Sequence, residues 1–210
     1  MAITLDGSGT ITGVSVGGLP DGIVDTDMLA ANAVTLAKSS GRKILQVLTN
    51  TTQNSTGSVS CSTARTYYDV PDQNVTITPT SNTSKILISF QQLGEFNPSG
   101  HVFNWALERG ISGGATTLIQ GDIGSDTDKS AVFTESLLTY FNDNDTTIEI
   151  AHSSNYLDSP ATTSAVTYKL KIRTHENVTG TYYYNRTVRD NNANHSERGL
   201  SWITVMEVSA

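Results

Sequence analysis

Ala165-Val-Thr-Tyr-Lys-Leu-Lys-Ile-Arg-Thr174 alternates with a period of two. Val166, Tyr168, Leu170 and Ile172 fall on one side, and Thr167, Lys169, Lys171 and Arg173 on the other. Successive side chains of a strand point to opposite faces, so this stretch predicts a half-buried antiparallel strand, apolar inward and cationic outward. The same alternation recurs at Ile44–Thr49, Asn74–Thr78, Lys85–Gln91, Val102–Leu107, Ala131–Phe141, Thr147–Ala151, Thr181–Asn185 and Leu200–Val208. Turn residues separate these runs, as in Pro79-Thr-Ser-Asn82, Asn97-Pro-Ser-Gly100 and Ser112-Gly-Gly114. Roughly eight to ten strands divided by turns and loops predict a mainly β fold, an antiparallel, jelly-roll-like β-sandwich over residues 43–210.

Leu200–Val208 departs from the alternation, because Leu200-Ser-Trp-Ile-Thr-Val-Met-Glu-Val208 carries apolar side chains on both faces. A strand apolar on both sides is covered on both sides. Either it lies centrally with loops over it, or its second face meets another subunit.

Ahead of the sandwich the pattern changes. Residues 1–24 hold Gly7, Gly9, Gly13, Gly17, Gly18 and Gly22 between short apolar pieces. Glycine raises the entropy cost of ordering, and no piece is long enough to bury its own side chains. Yet the segment is richer in β-branched residues than a disordered linker. It predicts an extended arm that orders against copies of itself, with Ile3, Leu5, Ile11, Val14, Val16 and Leu19 as the contact residues. Residues 25–42 hold the one expected helix, capped by Thr26 or Asp27 and stopped at Gly41, with an extended stem segment as the alternative that β-branched Val34 and Thr35 leave open. Its face of Met28, Leu29, Ala33 and Leu36 is narrow, suited to packing against identical helices, so Met28, Leu29 and Leu36 join the contact residues of the arm.

Composition narrows the function. The chain has 210 residues, a net charge of −7 and one cysteine. A nucleic-acid binder needs a cationic footprint, so no nucleic-acid partner is expected. No apolar run approaches the roughly 20 residues that span a bilayer, so no membrane insertion is expected. Met1–Leu5 lacks the charge and apolar core of a secretory leader. Cys61 sits in a small-residue segment and reads as a semi-buried structural residue.

Catalytic patterns are missing. His101, His152, His175 and His195 have no metal-ligand spacing, and no nucleophile elbow, P-loop or dinucleotide fingerprint occurs. Asp122/Asp126/Asp128 and Asp143/Asp145 lack the spacing of a calcium loop and read as solvated turns. Glu95, Glu108, Glu135 and Glu149 are the carboxylates a glycosidase would pair, but spacing alone brings no two together. No enzyme, metal or cofactor is expected.

Binding is the stronger expectation. The stretch Asn185-Arg-Thr-Val-Arg-Asp-Asn-Asn-Ala-Asn-His-Ser-Glu-Arg-Gly199 follows Tyr182-Tyr183-Tyr184 and gathers polar side chains beside aromatic ones. Aromatic faces beside hydrogen-bonding rims suit sugar rings. Tyr183, Arg186, Arg189, Asp190, Asn192 and His195 are therefore the expected receptor contacts, with Phe96, Asn97 and His101 in a second polar-aromatic loop. The Lys169/Lys171/Arg173 stripe reads as a solvated face or a set of salt bridges.

Several stretches share wording with one family. Leu5-Asp-Gly-Ser-Gly-Thr-Ile-Thr-Gly-Val-Ser-Val-Gly-Gly-Leu-Pro-Asp-Gly22 and Val24-Asp-Thr-Asp-Met-Leu-Ala-Ala-Asn-Ala-Val-Thr-Leu-Ala-Lys38 resemble the start of tail-fibre proteins of marine and cyanobacterial bacteriophages. Ser84-Lys-Ile-Leu-Ile88, Tyr156-Leu-Asp-Ser-Pro160, Tyr168–Arg173 and Trp202–Val208 resemble the β-domain that often ends them. The resemblance implies a virion tail protein assembled as a homotrimer. Its N-terminal arm would dock to a phage tail or baseplate protein, and its sandwich would meet host-surface polysaccharide. One ANAVT-type segment implies a short fibre. The alternative is a purely structural tail adaptor or head decoration protein without receptor contact.

Overall fold

The structure is a computed structural model and describes residues 4–5, 11–12, 41–52, 56–97, 103–122, 131–135, 148–174, 178–194 and 196–210. The chain divides into two compact units, residues 1–41 and 42–210. In the first, β1 (Thr4–Leu5) pairs antiparallel with β2 (Ile11–Thr12), and Leu5 stands opposite Ile11. The other seven residues expected to trimerise or dock (Ile3, Val14, Val16, Leu19, Met28, Leu29 and Leu36) lie outside the described residues, as does the expected helix.

The second unit is a sandwich of two antiparallel sheets. Its strands are β3 (Ile44–Thr51), β4 (Gly57–Cys61), β5 (Tyr68–Ile77), β6 (Lys85–Asn97) and β7 (Phe103–Ile111). They continue as β8 (Thr116–Ile119), β9 (Thr134–Glu135), β10 (Glu149–Asp158), β11 (Val166–Thr174), β12 (Gly180–Tyr184) and β13 (Trp202–Val208). β4 and β8 were not anticipated from periodicity, because GSVSC and TTLI are too short or too small-residue to alternate clearly. β11 buries every second residue along its length, as its period requires.

The first sheet is built on β6. One edge of β6 pairs with β10. Its other edge pairs with β13 over residues 85–91 and with β12 over residues 94–97. β12 and β13 therefore occupy one strand line that is interrupted, not two neighbouring lines. β3 and β4 form the next interrupted line outward, against β13 and β12 respectively. In the second sheet β11 lies between β5 and β7, and β8 and β9 share the far edge of β7. Each sheet is thus four lines wide. The order is first, eighth, third, sixth in one and second, seventh, fourth, fifth in the other, which is the double Greek key of a jelly roll.

Between the sheets Phe96, Phe103, Trp105 and Tyr182 pack edge to face, with ring centroids 4.6 Å apart for Phe96–Phe103 and 5.4 Å for Trp105–Tyr182. Such pairs contribute about 0.5–1.5 kcal/mol each beyond the area they bury. A polar staple also joins the sheets. Arg109 on β7 meets Asp158 on β10 at 2.8 Å, and the Tyr168 hydroxyl on β11 donates to the same carboxylate at 2.7 Å. One side of the sandwich is closed by side chains. The Asn50 amide on β3 donates to the Asp72 and Asn74 carbonyls of β5, and the Gln46 amide donates to the Thr78 carbonyl. These bonds satisfy carbonyls on a free sheet edge that would otherwise invite a foreign strand.

Candidate functional site

Asn185 is where the β12–β13 line breaks. Its φ of 59° lies in the left-handed region, which asparagine tolerates better than most side chains. That turn throws the chain out of the sheet, and residues 185–201 form an excursion before β13 resumes the line. Leu93 of β6, left facing the gap, does not go unpaired. The Leu93 carbonyl accepts the Asn185 N–H at 2.8 Å, and the Leu93 N–H donates to the Ser201 hydroxyl at 2.9 Å. Asn185 also donates its side-chain amide to the Thr52 carbonyl and hydroxyl, at 3.1 and 2.7 Å, and accepts the Ser201 hydroxyl. Thr52 N–H in turn donates to the Ser201 carbonyl at 2.9 Å. Asn185, Thr52 and Ser201 are all buried, so the loop stands on a satisfied polar knot.

The loop then folds back on the outer face of the first sheet. The Arg186 guanidinium lies 4.3 Å from the centre of the Tyr183 ring, a cation–π contact. Arg186 also donates to the Thr187 and Val188 carbonyls at 3.1 and 3.3 Å and stands 3.6 Å from the Asp190 carboxylate, which Arg198 also pairs. The Val188 N–H donates to buried Glu95 at 2.6 Å. Further along, the Thr187 hydroxyl donates to the Arg189 carbonyl at 2.7 Å, and Ser196 donates to Asn191 at 2.6 Å. Arg189, Asp190 and Asn192 are exposed at the tip. Arg186, Arg189, Asp190 and Asn192 of the expected contact set share this loop, which sequence reasoning could see because they are neighbours in the chain. Sequence reasoning missed the anchor, an asparagine at a strand end whose amide reaches Thr52, 133 residues away.

Phe96 requires correction. It was expected at a receptor surface, but its ring is 2% exposed and sits in the aromatic core, because inward and outward positions alternate along β6 and 96 points in. Asn97, one residue on, is exposed at the end of β6. That end of the sheet is opposite the one where the chain comes in, where Lys43 and Ser209 are joined by two hydrogen bonds. His101 and His195 lie outside the described residues.

Cys61 is fully buried and burial pushes its thiol up to about 11, so it is an inert core residue. Glu95 projects from the outer face of the first sheet and Glu108 from the outer face of the second, so these two carboxylates cannot flank one groove. The side chains of Glu135 and Glu149 are outside the described set. Among the described residues no group of three or more His, Cys, Asp or Glu side chains is arranged to hold a metal ion. The cationic stripe is occupied within its own sheet. Lys171 reaches Asp69 at 2.5 Å and Glu108 at 3.1 Å, and Arg173 lies over the Tyr67 ring at 5.2 Å. Burial works to lower the Lys171 pKa, but its two carboxylate partners outweigh that and hold it above the ordinary lysine value.

Fold and site together define the class: a jelly-roll β-sandwich that carries an ordered, polar-tipped loop on the outer face of one sheet. No protein-family model matches the chain, and no curated protein matches it in sequence.

Proposed function

We propose that this chain is a virion structural protein, a short homotrimeric tail fibre whose β-sandwich contacts host-surface glycan for attachment. The observation that carries the reading is the excursion at residues 185–201. Its base is fixed by the Asn185–Thr52–Ser201 knot, and its tip presents Arg189, Asp190 and Asn192 beside the Arg186–Tyr183 stack. A preorganised polar tip loses little entropy on meeting a hydroxylated ligand, so modest contacts give useful binding. Repetition over the copies of a fibre then raises avidity by about 10²–10⁴ over a single site. The wording shared with phage tail fibres supports the same reading, and residues 1–42 would supply assembly and docking to a tail or baseplate protein.

The test is binding of the purified full chain to an array of bacterial surface polysaccharides. Wild-type protein should bind at least one of them, and the Arg189→Ala/Asn192→Ala double variant should bind at least tenfold more weakly with an unchanged melting temperature. Equal binding by the two proteins would remove the loop from the reading. No binding by an intact oligomer would favour the adaptor or head decoration role.

A further inference from the structure

The excursion covers only half of the outer face of the first sheet. Along β13 the outward side chains are half-buried, and one row of the face is apolar from edge to edge, whereas the rows beyond it carry Thr49, Thr204 and Ser89, then Thr51, Trp202 and Gln91. Val47, Met206, Leu87 and Leu157 stand side by side on β3, β13, β6 and β10, each directly opposite the next. Val47 is 52% exposed and Leu157 41%, so the row is open at both edges. Ile44, 58% exposed, pairs with Val208 in the adjoining row.

We propose that this face is an interface between copies of this chain. It rests on the homo-oligomeric part of the reading above and says where in the sandwich the copies meet. Three observations choose a second copy over another occupant. The first is charge: on β3, β13 and β6, from the row of Ile44 to the row of Trp202, Lys85 is the one charged residue projecting from this face, and it lies at the margin, bonded to Ser159 at 2.6 Å. In a chain of net charge −7, a nearly uncharged face packs against another copy without like-charge repulsion, whereas the second sheet's outer face carries Asp69, Glu108, Lys169 and Lys171. The second is order along the chain: residues 1–41 immediately precede the unit whose first strand, β3, carries Ile44 and Val47. The third is size. Four strand lines about 4.8 Å apart and seven residues of β13 at about 3.4 Å each give a footprint on the order of 400 Å². That is about half of the roughly 800 Å² per partner in a standard interface, which fits a contact made by chains already tethered elsewhere.

Cysteine labelling of the full chain tests this, because Cys61 is buried and silent. Val47→Cys, Leu157→Cys and, on the opposite outer face, Lys169→Cys are prepared separately, and each is exposed to a maleimide while sedimentation reports the mass. Position 169 has a side chain 41% exposed, comparable to the other two, so an isolated sandwich would label all three at similar rates. The expected result is an oligomer in which positions 47 and 157 label at least tenfold more slowly than 169. An oligomer in which all three label alike overturns the interface but leaves homo-oligomerisation standing. A monomer overturns both.

Discussion

The Asn185 side chain donates to both the carbonyl and the hydroxyl of Thr52, 3.1 and 2.7 Å away, across 133 residues of sequence. Thr52 is the first residue of the gap between β3 and β4, and Asn185 the first of the gap between β12 and β13. The two interrupted lines are thus pinned to each other at the break, and the excursion leaves the sheet without opening it.

Replacing Asn185 tests the knot. Asn185→Ala removes the amide donated to the Thr52 carbonyl and hydroxyl and the acceptor of the buried Ser201 hydroxyl, and places alanine at a φ of 59°, for a loss of about 2–4 kcal/mol. Asn185→Gly loses the same hydrogen bonds but accepts the backbone angle, so it should be the milder variant by about 1 kcal/mol. Urea denaturation of the full chain gives both values. A glycine variant less stable than the alanine one would show that the backbone angle is not under constraint.

The inter-sheet staple makes a second prediction. Asp158→Ala leaves Arg109, 20% exposed, facing a buried gap and should cost about 3–5 kcal/mol. Tyr168→Phe removes one hydrogen bond and leaves the ion pair, so it should cost about 1–1.5 kcal/mol. Burial, and then the bond to Asp158, hold the Tyr168 phenol above the ordinary tyrosine value. In an alkaline spectrophotometric titration it should stay protonated after exposed tyrosines have ionised, until the protein unfolds.

Glu207 governs part of the acid stability. It is fully buried at the end of β13 and accepts the Thr80 N–H and hydroxyl and the Gln46 amide, each at 2.7 Å. Burial pushes its pKa up, but hydrogen bonds from Ser84, Thr80 and Gln46 outweigh burial and hold it below the ordinary value of 4.5. The unfolded chain therefore binds the proton more readily than the folded one. The stabilisation is fully present well above pH 4.5 and is lost as the pH falls through the lower folded value. Melting temperature should drop on acidification in the wild type and drop less steeply in Glu207→Gln. Parallel curves for the two proteins would exclude the role.

Two glycines of the strands should behave oppositely. A Cβ at Gly94 meets the Tyr182 hydroxyl and the Tyr183 backbone carbonyl, neither of which has room to retreat from the aromatic core and the β6–β12 ladder. Gly94→Ala should cost about 1–3 kcal/mol as overpacking. At Gly110 the nearest atoms are 3.9 Å away, an ordinary contact, so Gly110→Ala should be neutral or slightly stabilising on thermal melting.

Legibility followed the range of the interaction. Val166–Thr174 was readable because its burial pattern is local: each neighbour along the strand goes to the other face. Tyr182 and Phe96 show the limit. Both are aromatic residues beside polar loops, and both are core, since their facing depends on the register of β12 against β6. Tyr183, between two inward residues, faces out and takes the Arg186 stack. The double apolar character of β13 was plain in sequence. Among the described residues one end of its line is roofed by the excursion, and the outward side chains from Trp202 to Val208 are half-buried.

The sequence by itself determined the mainly β class, the position of most strands and the gathering of polar residues at 185–199, because these depend on period-two burial and on residues close in the chain. Tertiary structure alone decided that β12 and β13 are one line, that β3 and β4 are another, and that Asn185, Thr52 and Ser201 meet at the break. Hydrogen bonds between strands form across any sequence separation, and a single chain pattern does not encode which edge each strand will find. The same reason makes the outer apolar row of Val47, Met206, Leu87 and Leu157 invisible until four distant segments are laid side by side.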